Sequence, residues 1–199
     1  ETGQFEGNIP VGISACLMGE KVRFDGGHKS HNFTNKVLSR YSEYRQVCPE
    51  VGMGMSIPRR AIRLIDEDGE TRLVDRQDSS IDHTDAMETF AANKCAELTG
   101  LNGFILTSKS PSCGMERIKV YTADGNSKHN KGVGLFARQL MESYPNLPVE
   151  EDGRLNDAPL RENFIERVFA HADWQINVAD SGSAKSLVDF NARHKYKHM

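Results

Sequence analysis

Short apolar runs alternate along this chain with longer segments in which apolar residues recur at helical spacing. The short runs are partly β-branched and are followed by turn-forming residues, which favours buried strands. Residues 60–65 and 70–75 flank the turn sequence DEDG, and this arrangement predicts a hairpin. The strands of a central sheet are predicted within residues 9–17, 44–50, 103–110 and 117–122.

The clearest helical pattern covers residues 82–101, with Thr84 as a candidate N-cap and Gly100 at the C-terminal end. Another helix is predicted within residues 132–145 and is stopped by Pro145. Further helices are predicted within residues 33–40, 159–176 and 187–199, and the sequence SGSAKS is typical of a linker between the last two.

Strands that alternate with helices predict an α/β fold. We expect a Rossmann-like, largely parallel sheet with flanking helices and a short hairpin insertion, followed by a helical appendage. Residues 1–158 form the first predicted domain, and residues 159–199 are the connecting helix, the linker and the start of a second helical domain. Ligands of open parallel sheets bind at the carboxyl ends of the strands. We therefore look for chemistry where the predicted strands end.

Composition excludes several classes of protein. The chain has 199 residues, of which 38% are hydrophobic and 27% charged, as in ordinary globular proteins. No apolar run approaches the roughly 18 residues of a membrane span and the first residues lack a secretory signal, so we expect a cytoplasmic protein. The net charge of −3 gives no general attraction to nucleic acid, although the final ARHKYKHM is locally basic. The missing initial Met and the lack of a helix stop at the end indicate a piece of a longer polypeptide.

The four cysteines are dispersed and not clustered as in a small disulfide-stapled domain. Cys95 lies on the apolar stripe of the predicted helix 82–101, which is typical of a small buried hydrophobe. Cys16, Cys48 and Cys113 each follow a predicted strand and have polar or turn-forming neighbours. Each alone is typical of a structural thiol, but three thiols on one rim of a sheet favour a shared site.

Three dispersed thiols favour an iron–sulfur cluster over a zinc ion. Structural zinc sites are closed tetrahedra, usually with local pairs such as C-x-x-C, and the sequence contains no such pair. A 4Fe-4S cluster with three cysteine ligands leaves one iron open, as a soft Lewis acid suited to binding sulfur. Cys95 remains open as a fourth ligand, provided that it turns from the core towards the rim.

Candidate proton-transfer and substrate-binding groups lie close to the cysteines in sequence. Glu50, in VCPE, is a candidate general base or acid, and the alternative is a solvated loop carboxylate. Ser110, in SKSPSCG, is a candidate to hydrogen-bond or protonate a substrate, and the alternative is a cap for its own turn. Lys109 is a candidate substrate contact, and the alternatives are that it pairs with a carboxylate or faces solvent. The glycine pair in RFDGGHK permits a tight turn, so Asp25 and His28 are candidates to line the same mouth.

Six motifs in a fixed order make the chain resemble the thiouracil desulfurase family. They are SACL, VRFDGGHK, VCPE, SKSPSCG, GLFA and RLNDAPLRENFIERVF. The resemblance covers roughly residues 10–170. Residues 187–199 resemble the opening of the helical domain that is fused to this module in the longer members, the tRNA 4-thiouridine desulfidases.

The resemblance implies an enzyme that removes sulfur from a thiolated uracil without redox change and releases uracil and sulfide. It implies a 4Fe-4S cluster held by Cys16, Cys48 and Cys113, with the fourth cysteine left out. It also implies that the substrate sulfur binds the open iron, while Glu50 and Ser110 assist proton transfer and hydrolysis at the ring carbon. The expected partner is a thiolated uracil, either as the free base or as 4-thiouridine in tRNA, and the oligomeric state stays open.

Two other functions remain open at this point. The first is an iron–sulfur or metal-binding sensor without catalysis, in which Cys95 completes a set of four ligands. The second is nucleophilic catalysis by Cys113 without metal, which normally needs a neighbouring base. No histidine lies near Cys113 in the sequence, so the fold would have to bring His28 or His129 to it.

Overall fold

The computed structural model of the chain describes residues 8–179 and 181–195. Its strands are β1 (Ile9–Ser14), β2 (Ser42–Val47), β3 (Ile62–Glu67), β4 (Glu70–Asp75), β5 (Phe104–Leu106), β6 (Ile118–Tyr121), β7 (Ser127–Gly132) and β8 (Val149–Glu151). Its α-helices are α1 (Asn32–Lys36), α2 (Pro49–Gly52), α3 (Thr84–Glu97), α4 (Leu135–Ser143), α5 (Ala158–Trp174) and α6 (Ala184–His194).

The first sheet is parallel throughout and has the strand order β2-β1-β5-β8. Gly12 of β1 pairs with Phe104 of β5, and Ile105 pairs with Glu150 of β8. A side chain at Gly12 has no room, because its Cβ would lie 2.2 Å from the Phe104 ring. The predicted α/β class with a parallel sheet is confirmed. Strand β8 was not predicted, since its three residues, VEE, carry no apolar strand pattern.

Helices cover both faces of the parallel sheet. In β5, Phe104 and Leu106 belong to the core that includes α3 and α4, whereas Ile105 belongs to the core on the other face. Phe164 and Val168 of α5 belong to that second core. Successive residues of a strand point to opposite faces, so a strand between two helical layers is apolar at every position. This explains the uninterrupted apolar run in β5.

A second, mixed sheet has the strand order β4-β3-β6-β7. Strands β3 and β4 form the predicted hairpin, in which Glu67 pairs with Glu70 beside the turn. Strand β6 had been predicted as the fourth strand of the central sheet, and this part of the prediction was wrong: β6 pairs with β3 and β7. An apolar run shows that a strand is buried but does not identify its neighbours. Strand β7, SKHNKG, was missed because it is polar.

Helix α3 begins differently from the prediction. Thr84 is its first residue, and the N-cap position belongs to His83, which makes no side-chain cap. The Thr84 hydroxyl instead accepts the N–H of Leu73 in β4 at 2.8 Å, and Asp82 accepts the N–H of Thr84 at 2.7 Å. The hydroxyl therefore joins the helix to the second sheet, because a strand N–H competes with the helix for it.

Helix α6 docks on the end of α5 through a buried carboxylate. Asp173 accepts two hydrogen bonds of 2.9 Å from Arg193, and one of its oxygens lies 2.7 Å from Nε2 of His194. Burial opposes ionisation of Asp173, but the hydrogen bonds that it receives from Arg193, His194 and Asn177 hold its pKa below the usual range. The carboxylate thereby holds the end of α6 against the end of α5.

The predicted division at residue 158 stays a prediction. The apolar face of α5, which follows this point, packs on the parallel sheet. Residues 196–199, the last part of the predicted terminal helix and of the basic end, lie outside the described residues. None of the helices described in residues 8–179 and 181–195 is long and apolar enough to cross a membrane.

Candidate active site

A cavity of about 360 Å³ opens at the carboxyl ends of β1, β2 and β5. Segments that leave these strands form most of its wall, and residues at the start of β3 and Arg76 after β4 contribute the rest. Cys16, Cys48 and Cys113 all line it. The rim of the parallel sheet therefore brings together thiols from three distant parts of the sequence, as expected for strand ends.

Each of these cysteines is held by a different local structure. Cys16 lies in a short 3-10 turn directly after β1, and its Sγ is 3.0 Å from Oγ1 of Thr107. Cys48 occupies the N-cap position of α2, and Cys113 lies in the loop after β5. Cys95 is 2% exposed in the core that includes α3 and does not line the cavity. The fourth thiol is thus a buried hydrophobe and is separate from the other three.

Burial raises the pKa of all three cavity thiols, and it raises that of Cys113 well above its ordinary value. Glu50 and the other two thiols oppose ionisation of Cys113 further. A free Cys113 thiol is therefore protonated at neutral pH and is a poor nucleophile. None of the histidines in the described part of the chain lines the cavity. Neither His28 nor His129 is therefore in place to take a proton from the Cys113 thiol.

The three thiols fit an iron–sulfur cluster better than a single ion. Within the ranges that the structure describes, no three His, Cys, Asp or Glu side chains converge on a position that would hold one metal ion. In a 4Fe-4S cluster each cysteine binds a different iron, so the cysteine ligands lie on separate parts of the cavity wall and do not meet at one point. Binding to iron also favours the thiolate form, which offsets the raised pKa of the free thiols.

Glu50 lies in the first turn of α2 and forms a buried ion pair. Pro49 at the first helical position begins this short helix immediately after Cys48. Arg59 donates to Oε2 of Glu50 through Nε at 2.8 Å and Nη2 at 2.6 Å, and Ser112 donates to Oε1 at 3.0 Å. The side chains of Glu50 and Arg59 are only 15% and 4% exposed. Glu50 is therefore not a solvated loop carboxylate. Sequence reasoning missed both of its partners.

The Ser110 hydroxyl organises the loop that carries Cys113. Its Oγ accepts the N–H of Ser112 at 3.2 Å and that of Cys113 at 3.0 Å, which is the capping role weighed from the sequence. Ser110 also lines the cavity. A hydroxyl has two acceptor positions and one O–H, so the O–H of Ser110 stays available as a donor. Capping the turn and contacting a substrate are therefore compatible.

The beginning of α4 supports the same loop. The N–H groups of Phe136 and Ala137 donate to the carbonyl of Ser112 at 3.0 and 3.2 Å. This close approach requires glycine at position 134, because a Cβ on Gly134 would lie 2.5 Å from the Ser112 carbonyl oxygen. The first N–H groups of a helix lack partners within the helix. Here the loop that carries Cys113 satisfies three of them, because the N–H of Leu135 also donates to the carbonyl of Pro111 at 3.2 Å, and these hydrogen bonds hold the loop.

A second ion pair at the cavity was also missed. Nζ of Lys29 lies 2.8 Å from Oδ2 of the buried Asp152 and donates to the Ser108 hydroxyl at 2.9 Å. The Ser108 N–H donates to Oδ1 of Asp152 at 2.8 Å. Burial opposes ionisation of Asp152, but the hydrogen bonds from Lys29 and Ser108 hold its pKa below the usual range. This pair fixes Lys29 and Ser108, which both line the cavity.

The structure does not bring Asp25 and His28 into the cavity, which corrects the expectation that they line its mouth. Both are exposed, and both side chains serve the backbone of their own turn. Asp25 accepts the N–H of Gly27 at 2.9 Å, and Nδ1 of His28 accepts the N–H of Ser30 at 3.2 Å. Lys109 does line the cavity, is exposed, and has a left-handed φ of 62°.

Arg23 and Phe24, from the same turn, line the cavity instead. The Phe24 side chain is 41% exposed, and the guanidinium carbon of Arg23 lies 5.9 Å from the centre of its ring. The carbonyl of Phe24 accepts the N–H of Arg59 at 2.9 Å, which ties this turn to the partner of Glu50. An aromatic residue just before the glycine pair of this turn was the sequence signal that could have identified this wall.

Comparison with known proteins agrees with the site. Residues 11–152, which include every residue that lines the cavity, match the sequence model of the family described as 2-thiouracil desulfurase. A solved structure of a 4Fe-4S-dependent thiouracil desulfidase, TudS, is similar to this chain, with 27% identity and a TM-score of 0.58 over 78% of this chain and 98% of that one. No curated protein sequence matches. The resemblance noted in the motifs is thereby confirmed: the chain belongs to the 2-thiouracil desulfurase family, whose members are enzymes that cleave C–S bonds.

Proposed function

We propose that this protein hydrolyses a thiolated uracil to uracil and sulfide without a net redox change. Its substrate is free thiouracil or the 4-thiouridine of a tRNA. The observation that carries the proposal is the meeting of Cys16, Cys48, Cys113 and Glu50 in one cavity at the carboxyl ends of the parallel strands. Family membership and the similarity to TudS support the same chemistry.

Cys16, Cys48 and Cys113 would hold a 4Fe-4S cluster. With three cysteine ligands, such a cluster supplies a soft Lewis-acid iron with an open position for a substrate sulfur. Thr107, with Oγ1 at 3.0 Å from Sγ of Cys16, is placed to donate a hydrogen bond to that thiolate. The loop of Ser110 and the beginning of α4 hold the backbone of Cys113 in place.

Two side chains of the cavity would move protons. Glu50 takes a proton from a water molecule as that water adds to the ring carbon that carries sulfur. Ser110 donates its O–H to the substrate, because both of its acceptor positions are occupied by backbone N–H groups. Lys109, exposed at the edge of the cavity, is placed to contact the substrate from outside.

The competing functions lose support from the positions of their required residues. A sensor with four cysteine ligands needs Cys95, which packs in the core with α3 and α4. Metal-free catalysis by Cys113 needs a base and a reactive thiol. Burial raises the pKa of Cys113 well above its ordinary value, and the cavity lining described here contains no histidine.

One assay tests the proposed function. Anaerobically reconstituted protein is given free 4-thiouracil, 4-thiouridine monophosphate and thiolated tRNA in parallel, while loss of thiocarbonyl absorbance and release of sulfide are followed. We expect equal amounts of thiocarbonyl lost and sulfide formed with at least one of the three. The substrate with the highest kcat/KM identifies the natural class. A cluster-loaded protein that turns over none of them would contradict the proposal.

The exposed ring of Phe24 leads to a prediction about substrate binding. Stacking of a base on an aromatic side chain contributes about 1–3 kcal/mol, so Phe24→Ala should raise KM by roughly 5- to 150-fold. We expect kcat to change little, because Phe24 does not touch the carboxylate of Glu50. Phe24→Tyr keeps the ring and should retain the KM of the unmodified protein. An unchanged KM in Phe24→Ala would show that the ring does not contact the substrate.

A further inference from the structure

Arg59 joins Glu50 to the turn that forms one wall of the cavity. Besides its two bonds to Glu50, its Nη2 donates to the carbonyl of Val22 at 2.8 Å and its Nη1 to that of Ser56 at 3.3 Å. Its backbone N–H donates to the carbonyl of Phe24 at 2.9 Å. Only 4% of the side chain is exposed. A buried guanidinium with acceptors on several sides has a single orientation, and it fixes the positions of the groups that it binds.

The two oxygens of the Glu50 carboxylate are held unequally. Oε2 accepts two N–H groups of the Arg59 guanidinium, at 2.8 and 2.6 Å. Oε1 accepts one hydrogen bond, from the hydroxyl of Ser112 at 3.0 Å. Among the contacts in the described residues, Oε1 therefore has one donor against two on Oε2, and it is the less engaged oxygen of this carboxylate.

Ser112 is suited to this task by its own burial. It is 0% exposed, its N–H is bound by Ser110, and its carbonyl is bound by the first turn of α4. Its hydroxyl is thereby aimed from a fixed backbone and does not itself line the cavity. The hydroxyl of Ser112 contacts the Glu50 carboxylate and not the cavity wall, whereas Arg59 contacts both the carboxylate and the wall that carries Phe24.

We propose that Arg59 and Ser112 are positioning residues that make Oε1 of Glu50 the proton acceptor of the desulfuration reaction; this rests on the function proposed above. Water loses one proton to Oε1 and forms the new C–O bond. The electron pair of the C–S bond leaves with sulfur as the new hydroxyl gives up the second proton of the water and becomes the carbonyl. That proton and the one held on Oε1 both pass to the departing sulfur. One water and one thiocarbonyl become one carbonyl and one hydrogen sulfide, so no oxidant or reductant is needed.

The two residues should differ in kinetic effect because they differ in contacts. Ser112→Ala removes one hydrogen bond to a charged acceptor and should lower kcat about 10-fold with KM unchanged. Arg59→Lys keeps the charge but loses the planar fork, and should lower kcat about 100-fold and also raise KM, because the Phe24 wall loses its tie. Arg59→Ala should behave like Arg59→Lys, with part of kcat restored by added guanidinium ion.

Arg60→Ala is the matched control, because Arg60 is the adjacent arginine, is exposed and does not line the cavity. It should leave kcat and KM unchanged. Iron content and thermal unfolding are measured for every variant, so that loss of folding or of cluster is separated from loss of positioning. In a Glu50→Gln background, Ser112→Ala should cost no further activity, since the group it positions has already lost its function.

The outcomes separate this inference from the function on which it rests. Turnover by the unmodified protein tests the function, and the variants test the positioning. Full kcat in cluster-loaded Ser112→Ala and Arg59→Lys proteins would overturn the inference and leave the function standing. Additive loss from Ser112→Ala in the Glu50→Gln background would also overturn it, because the serine would then act elsewhere.

Discussion

Cys113→Ala protein, purified and reconstituted without oxygen, should be colourless and inactive. Cys113 is the most strongly shielded of the three cavity thiols, and its loop is fixed by Ser110 and by the first turn of α4. No other cysteine among the described residues lines this cavity beside Cys16 and Cys48, so no thiol is in place to substitute for it. A cluster left with two cysteine ligands should be lost. We expect desulfuration to fall to the background rate, with iron content falling in parallel.

Cys95→Ala is the matched control. Cys95 is buried in the core with α3 and α4, and alanine there removes only a small apolar volume. The variant should keep its colour and its turnover while its thermal unfolding temperature falls slightly. If Cys95→Ala lost the cluster and Cys113→Ala kept it, the assignment of ligands would be wrong, and a different cysteine set would hold the iron.

Glu50→Gln protein should keep its colour and lose its turnover. Glutamine has nearly the shape of glutamate and still presents an oxygen to Arg59, but an amide does not accept the proton of a water molecule. Loss of a general base typically costs about 10²- to 10⁴-fold in rate, and we expect kcat to fall within that range. Visible absorbance and iron content should stay at the level of the unmodified protein, because Glu50 is not one of the proposed ligands.

Glu20→Gln provides the comparison for Glu50→Gln. Glu20 is exposed on the segment that follows Cys16 and does not line the cavity, so removing its charge should leave kcat unchanged. A Glu50→Gln protein that is coloured and as active as the unmodified one would remove Glu50 from the reaction. Loss of colour in that variant would instead assign Glu50 a role in holding the cluster site together.

The residues of the site that could be predicted are those whose neighbours in the sequence already indicate their position in the fold. Cys16, Cys48 and Cys113 each follow a strand, and the ends of parallel strands meet on one rim, so their meeting in one cavity required no knowledge of the packing. Cys95 was recognised as a core residue from helical spacing alone. Glu50 was selected because it follows Cys48 by two residues.

The missed residues are those whose meaning depends on distant partners. Arg59 has no local pattern that distinguishes it from Arg60, and only the fold aims one at Glu50 and the other at solvent. Asp152 follows a strand too short and too polar to be recognised, so its ion pair with Lys29 was invisible. The same limitation explains the choice of Asp25 and His28, whose polar side chains serve their own turn.

The chain of residues thus encodes two different kinds of information. Periodic apolar spacing, turn residues and thiols at strand ends act over a few positions, and they determined the α/β class, most of the helices and the three cysteines of the site. Which strands became neighbours depended on packing between segments far apart in sequence, and so β6 joined the second sheet. The same packing decided that Arg59 and Ser112 hold Glu50, because a buried carboxylate requires donors on both oxygens and only the folded chain determines which donors lie within reach.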